Sequence, residues 1–406
     1  MTSLYRMRTA ARFLDRPSNR WQQVLRNLVA ATIAAVAVGA AVAEDGVTKD
    51  EILVGATSTK TGAIAVCGNV DEGASAYFKR INDMGGVNGR KIRFVVLDDG
   101  YSPQRAIGNV RRLMGQDKVF ALISGCGTVT GAAVLSIAER DTIPYLFPLV
   151  GLDDLVLPPK KNVFSILPQY GSQVVTMIDY VAKSQTPKTA AVSIINIAGH
   201  ENWMKAVRAK LEALKITIVD EQVIDVAASD KAPFVTRVKS KNPDLFVMVD
   251  SAPGAARYIL EMQRQNWRPK VITGINTLTD ESFLRAVGNA ADNLVIAPGV
   301  LLPTSDPKSS ECVDAVASYD KNLSPSGYTS FGCLGAKVFV DAVRRVGADL
   351  TREKLMAELE NTRNFQSGFS GPISFGPGVR QGLSTIYPVG LQDGKFKVLG
   401  VGIPLQ

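Results

Sequence analysis

The chain has a single histidine, His200, in 406 residues. Its four cysteines form no CxxC pair, and it contains no GxSxG, GxGxxG or GxxxxGK[ST] segment. These absences remove whole classes of chemistry. A Ser/His/Asp hydrolase would have to rest on His200 alone and has no nucleophile elbow. A zinc site lacks its usual ligand spacing, and neither glycine-rich phosphate loop is present. No catalytic residue, metal centre or cofactor is therefore expected. Basic residues do not cluster with aromatics, which argues against nucleic acid.

The formal net charge of +8 points the other way until its location is considered. Arg6, Arg8, Arg12, Arg16, Arg20 and Arg26 all precede an apolar run over residues 28–42, which ends in Ala41-Val42-Ala43 before Glu44-Asp45. A basic segment, an apolar segment and a small-x-small site make a secretory signal peptide, cleaved after Ala43. The competing reading is a membrane anchor, but spanning takes about 20 apolar residues and this run is shorter. Without residues 1–43 the chain keeps 40 basic against 37 acidic side chains, a net +3. The excess charge is mostly an address.

Cys67, Cys126, Cys312 and Cys333 all lie beyond that segment. An even count in an exported chain predicts two disulfides, with three pairings open.

From residue 52 onward, short β-rich runs (52–56, 92–97, 119–124, 143–147, 190–196, 245–249, 271–274) alternate with helical patterns (72–84, 103–115, 131–141, 170–183, 202–214, 232–240, 254–265). This predicts an α/β protein built of βαβ units, with parallel sheets covered on both faces. Beyond Pro298 helices are expected over 310–321, 334–346 and 352–360, then strands over 371–375, 385–391 and 396–401, with Asp393-Gly394 as a hairpin turn. No long linker separates domains.

Open α/β sheets bind ligands beyond the carboxyl ends of their strands. The sharpest segment there is Gly125-Cys126-Gly127-Thr128-Val129-Thr130, glycines and threonines entering a helix. Such a loop can seat a carboxylate or phosphate; the plainer reading is a turn with an ordinary helix start. Asp98-Asp99 could hold a metal or simply end a strand before Ser102-Pro103 opens a helix.

Gly85-Gly86-Val87-Asn88-Gly89-Arg90-Lys91, residues 92–99 and Ser102-Pro103 resemble the GGINGR…DD…P stretch of periplasmic solute-binding proteins of the leucine/isoleucine/valine-binding type. The similarity runs in order across residues 47–400. It takes in Thr61-Gly62 and Gly68, the 145–148 strand end, Gly274 to Gly288, and Gly371-Pro372-Ile373. It implies the type I periplasmic binding protein fold: two Rossmann-like lobes with parallel-rich sheets joined by three crossovers, near 167–170, 297–300 and 369–371. Lobe 1 would comprise 44–168 plus 299–370, and lobe 2 would comprise 169–298 plus 371–406.

The resemblance also implies a site. Thr128, with backbone groups of Leu149 and Gly151, would hold a ligand carboxylate. Aromatic positions of the family fall at Cys67, at Gly199 or His200, and at Ser251; the acid that pairs with the ligand's ammonium falls at Asn276. Asp250 could replace that acid, and Tyr101 or Trp203 could replace an aromatic. In this architecture Cys67 would bridge Cys126 at the cleft mouth, and Cys312 would bridge Cys333. The implied function is a periplasmic, monomeric, non-enzymatic binder. It would close on an amino acid or another small organic or aromatic acid and deliver it to the membrane permease of an ABC importer. A sensor on the same fold is the alternative; a transcriptional regulator would need a DNA-binding head where the export signal lies.

Overall fold

The computed structural model describes residues 44–406; the expected export signal lies outside them. Among the described residues, no helix is long and apolar enough to cross a membrane.

Five strands form the first sheet: β1 (Glu51–Ser58), β2 (Lys91–Asp98), β3 (Ala121–Ile123), β4 (Tyr145–Leu146) and β5 (Val163–Phe164). They are parallel, in the order β2-β1-β3-β4-β5. Helices Asn69–Asp83, Pro103–Gly115 and Thr128–Asp141 make the crossovers. In β1 every residue after Glu51 is buried, as a strand covered on both faces must be. Four more parallel strands form a second sheet: β6 (Thr189–Ile195), β7 (Thr217–Ile224), β8 (Leu245–Val249) and β9 (Val271–Gly274), ordered β7-β6-β8-β9. Helices Tyr170–Gln185, His200–Ala213, Ala232–Lys241 and Ala252–Arg264 accompany it.

The expected strands and helices of the two parallel sheets recur within a few residues. The strand at 217–224 was not foreseen, because β7 is an edge whose half-exposed sequence TIVDEQVI carries Asp220 and Glu221.

A third, antiparallel sheet joins β10 (Ile296–Gly299), β11 (Thr385–Gln392), β12 (Lys395–Val398) and β13 (Ile403–Pro404). Its β11–β12 hairpin turns at Asp393-Gly394, both at positive φ (53° and 66°), the geometry of a two-residue type I′ turn. Residues 371–375 do not form the expected strand. Ile373 makes only isolated bridges to Phe365 and Leu383.

The chain passes between the two parallel sheets along neighbouring paths. Ser165 bridges Gln381, and Leu301 bridges Ser370. Helix Gly327–Val346 starts seven residues earlier than its sequence pattern indicates. Ser326 and Thr329 form a capping box, and the glycines behind it mask the helical signal. Those glycines have a packing role. A Cβ on Gly332 would stand 1.7 Å from Val70 O, and one on Gly73 would stand 1.9 Å from Thr329 O. Helices Asn69–Asp83 and Gly327–Val346 therefore touch backbone to backbone.

Candidate functional site

Both strand orders fix where a ligand can bind. In the first sheet the chain leaves β1 toward β2 on one side and leaves β3 toward β4 on the other. The loops after β1 and β3 therefore diverge and open a crevice. In the second sheet the same reversal separates the loops after β6 and β8. One cavity receives all four. Its walls include Cys67, Cys126 and Thr128 from the first pair of loops, and Ile197, Asp250 and Ser251 from the second. With its mouth it holds about 470 Å³, room for a small molecule and not for a folded partner.

The loops are held from beneath. Asp99 accepts hydrogen bonds from Thr59 Oγ1 (2.8 Å), Thr57 Oγ1 (3.1 Å) and Tyr101 N (2.9 Å). Asp98 accepts from Lys60 N and Thr61 Oγ1. These acids organise the β1 loop, and no group of three metal-ligating side chains occurs among the described residues. Ser102 caps helix Pro103–Gly115, as its sequence indicates. Asp71, wholly buried, accepts from Gly125 N at 3.0 Å. Burial pushes its carboxyl up to about 7, against hydrogen bonds from Ser58 and Gly125. Cys67 and Cys126 are joined by a disulfide, as are Cys312 and Cys333. The first bridge ties the turn Ala65–Gly68 to the 125–130 loop and forms part of the cavity wall.

Thr128 is the first residue of helix Thr128–Asp141. Gly127 precedes it at φ 131°, a conformation for glycine, and as the N-cap residue brings no capping side chain. The Thr128 hydroxyl and the first-turn N–H groups thus meet at the cavity, where helix polarity favours an anion. Tyr170 shares a hydrogen bond with Thr128, while burial pushes its phenol up to about 12. Leu149 lines the cavity, but its N–H donates to Gly125 O (2.9 Å) and its carbonyl accepts from Gly127 N (3.4 Å). Its backbone is spent on joining two loops. Gly151 lies beneath Tyr170: a Cβ there would stand 2.3 Å from the ring.

Ser251 lines the same cavity and caps helix Ala252–Arg264. Asn276 lines an adjoining cavity that shares Leu149, Thr277 and Tyr328; its N–H donates to Gln173 Oε1, and its Oδ1 has no partner. His200 lines neither cavity, and its Nδ1 faces Ile197 O at 2.9 Å. Trp203, fully buried, packs edge-on against Tyr170 with ring centroids 5.3 Å apart. It backs the wall without forming it, whereas Tyr101 is part of it. Asp250 faces the cavity already paired with Lys231, Nζ to Oδ2 3.1 Å.

Residues 51–395 match the model of a family described as periplasmic binding protein. That span is most of the chain and contains both sheets and every residue of the cavity. The chain belongs to the periplasmic binding protein family.

Among its relatives is the Leu/Ile/Val-binding protein BraC3 of Rhizobium johnstonii, 22% identical over 330 residues, 80% of this chain and 88% of that protein. A branched-chain amino acid ABC transporter structure from Thermus thermophilus, with bound valine, superposes with a TM-score of 0.79 at 17% identity, covering 88% and 97% of the two chains. The fatty acid ABC transporter substrate-binding protein of Thermomonospora curvata gives 0.80 at 20% identity, covering 89% and 94%. The fold is the type I periplasmic binding protein fold, and its members bind solutes without altering them.

Within this periplasmic binding protein, two cavity residues carry no signal in the sequence. Tyr170 and Tyr328 both line the wall from the first residues of their helices, Tyr170–Gln185 and Gly327–Val346. A tyrosine at a helix start reads as packing.

Proposed function

We propose that this protein is exported by residues 1–43, cleaved after Ala43, and delivers a small carboxylate-bearing solute to the membrane permease of an ABC importer. The solute docks its carboxylate on Thr128 and the first-turn N–H groups of helix Thr128–Asp141. Residues 44–168 with 299–370 form one lobe, and 169–298 with 371–406 form the other. Closure about the three neighbouring chain passages brings Asp250, Ser251 and Ile197 over the ligand and excludes water, which strengthens the polar contacts. The closed form is what the permease would read.

The observation that carries this reading is the convergence of both strand-order reversals on one cavity, with a helix start whose N-cap is a glycine and a buried threonine hydroxyl in its wall. No reacting group is needed: a micromolar Kd takes only about −8 kcal/mol. Thermal-shift screening of the processed chain against amino acids, dicarboxylates and aromatic acids tests it, since a bound solute raises Tm by mass action. Thr128→Val should weaken the best carboxylate by about 1–3 kcal/mol. Unchanged affinity would move the carboxylate elsewhere.

A further inference from the structure

The cavity has one charged side chain in its wall, Asp250, and that charge is already matched. Lys231 Nζ lies 3.1 Å from Asp250 Oδ2, with the two side chains only 2% and 5% exposed. The other carboxylate oxygen accepts from Ser251 N (2.7 Å) and Ser251 Oγ (3.2 Å). Lys231 is fixed in turn over the ring of Tyr258, 4.9 Å from its centroid, and the Tyr258 hydroxyl bonds Ser193 Oγ at 2.8 Å. A carboxylate whose two oxygens are occupied and whose charge is balanced has little to offer a second cation.

The next acids are no better placed. Asp280 and Glu281 line the adjoining cavity, but their oxygens are taken. Asp280 accepts from Ser282 N (2.7 Å) and Tyr328 N (3.1 Å). Glu281 accepts from Thr304 N (3.0 Å), Thr304 Oγ1 (2.6 Å) and Gly327 N (2.7 Å). Both stand at the start of helix Gly327–Val346, whose polarity opposes their charge. Asn276, between the two cavities, offers a neutral acceptor. An ammonium enclosed here would lose its water without gaining a counter-charge. The rest of the wall suits an uncharged body: Ile64, Ile195, Val226 and Ile275 with the tyrosine rings.

We infer that Lys231, by neutralising Asp250, sets the ligand class: carboxylic acids with an apolar or aromatic body and no ammonium on the α-carbon, in preference to amino acids. This rests on the proposed carboxylate seat at Thr128. The cation works through Asp250 and need not touch the ligand.

Matched pairs that differ only in the ammonium test it: L-leucine against 4-methylpentanoate, and L-phenylalanine against 3-phenylpropanoate, by titration calorimetry on the processed chain. The acid of at least one pair should bind at least tenfold more tightly than its amino acid. Lys231→Met should narrow that ratio at least tenfold by unmasking Asp250. Lys231→Met combined with Asp250→Asn, neutral again, should restore it and also serves if the single variant does not fold. A preference below tenfold in both pairs, or a ratio indifferent to Lys231→Met, overturns the inference. In either case, weakening by Thr128→Val would leave the carboxylate seat standing. If no member of either pair binds, both readings fall.

Discussion

The two disulfides should be separable by what their loss costs. Cys67 and Cys126 are 59 residues apart, and Cys312 and Cys333 are 21 apart. In the chain-entropy treatment, opening loops of these lengths frees enough disorder in the unfolded chain to lower stability by about 4.3 and about 3.4 kcal/mol at 25 °C. Alanine replacements suit the test, because a serine would add an unpaired hydroxyl to a buried site. Urea unfolding at equilibrium should rank Cys67→Ala/Cys126→Ala as the more costly pair. Ligand affinity should respond differently again. The first bridge is part of the cavity wall and pins the 125–130 loop, so its loss should weaken binding. The second lies between helices Ser310–Tyr319 and Gly327–Val346, away from the cavity, and its loss should leave affinity within about twofold. A stability loss under about 1 kcal/mol for the longer loop would refute the entropic reasoning. Equal affinity losses for the two pairs would refute the placement of the first bridge in the wall.

Asp71 should give the native state a pH slope. Its carboxyl is pushed up to about 7 by burial, against 3.8 as the ordinary value. Between those two values the folded chain therefore holds a proton that the unfolded chain releases. Stability should fall as pH rises through that window, by at most about 1.4 kcal/mol per unit. Asp71→Asn should flatten that part of a Tm-against-pH profile, and an unchanged slope would reassign it. Gly151→Ala places a Cβ 2.3 Å from the Tyr170 ring. It should cost about 1–3 kcal/mol in urea unfolding and shift the ring that meets Thr128, weakening ligand in the same calorimetric assay. Gly332→Ala drives a Cβ to 1.7 Å from Val70 O. It should cost at least as much stability as Gly151→Ala, with helix separation, not ligand contact, as its cause.

Much of the fold is legible because parallel strands buried on both faces advertise themselves. The runs at 245–249 and 271–274 are buried throughout and polar only at Thr273, and the strands end where those runs end. Signals fail where burial is one-sided or where the backbone itself makes the contact. β7 is a half-exposed edge strand interrupted by Asp220 and Glu221. Gly327–Val346 hides its first two turns behind glycines that exist for the neighbouring helix and not for its own propensity. The run at 371–375 has β-forming residues but finds partners only one residue at a time. Propensity alone cannot reveal that.

The site is half legible for the same reason. Thr128 could be singled out because glycine, threonine and a helix start are local features, readable within six residues. The ligand-class determinant is not local. Asp250 ends a strand and Lys231 precedes a helix nineteen residues earlier; either alone reads as a loop polar residue. Their charges cancel only because the crossover from β7 to β8 returns Lys231 to the end of β8, an outcome of topology. Tyr170 likewise reaches the wall from a helix that starts where the chain changes sheets, and Tyr328 from a helix that starts after a separate helical segment, Ser310–Tyr319. One end of the site is thus written in a short motif, and the other is assembled from distant segments. A family resemblance leads to the first end from local residues and gives no sign of the Lys231–Asp250 pair at the second. The physical reason is that a carboxylate seat needs only N–H groups and a hydroxyl, which many sequences supply. The amine end needs a net charge, and a single buried lysine can cancel it.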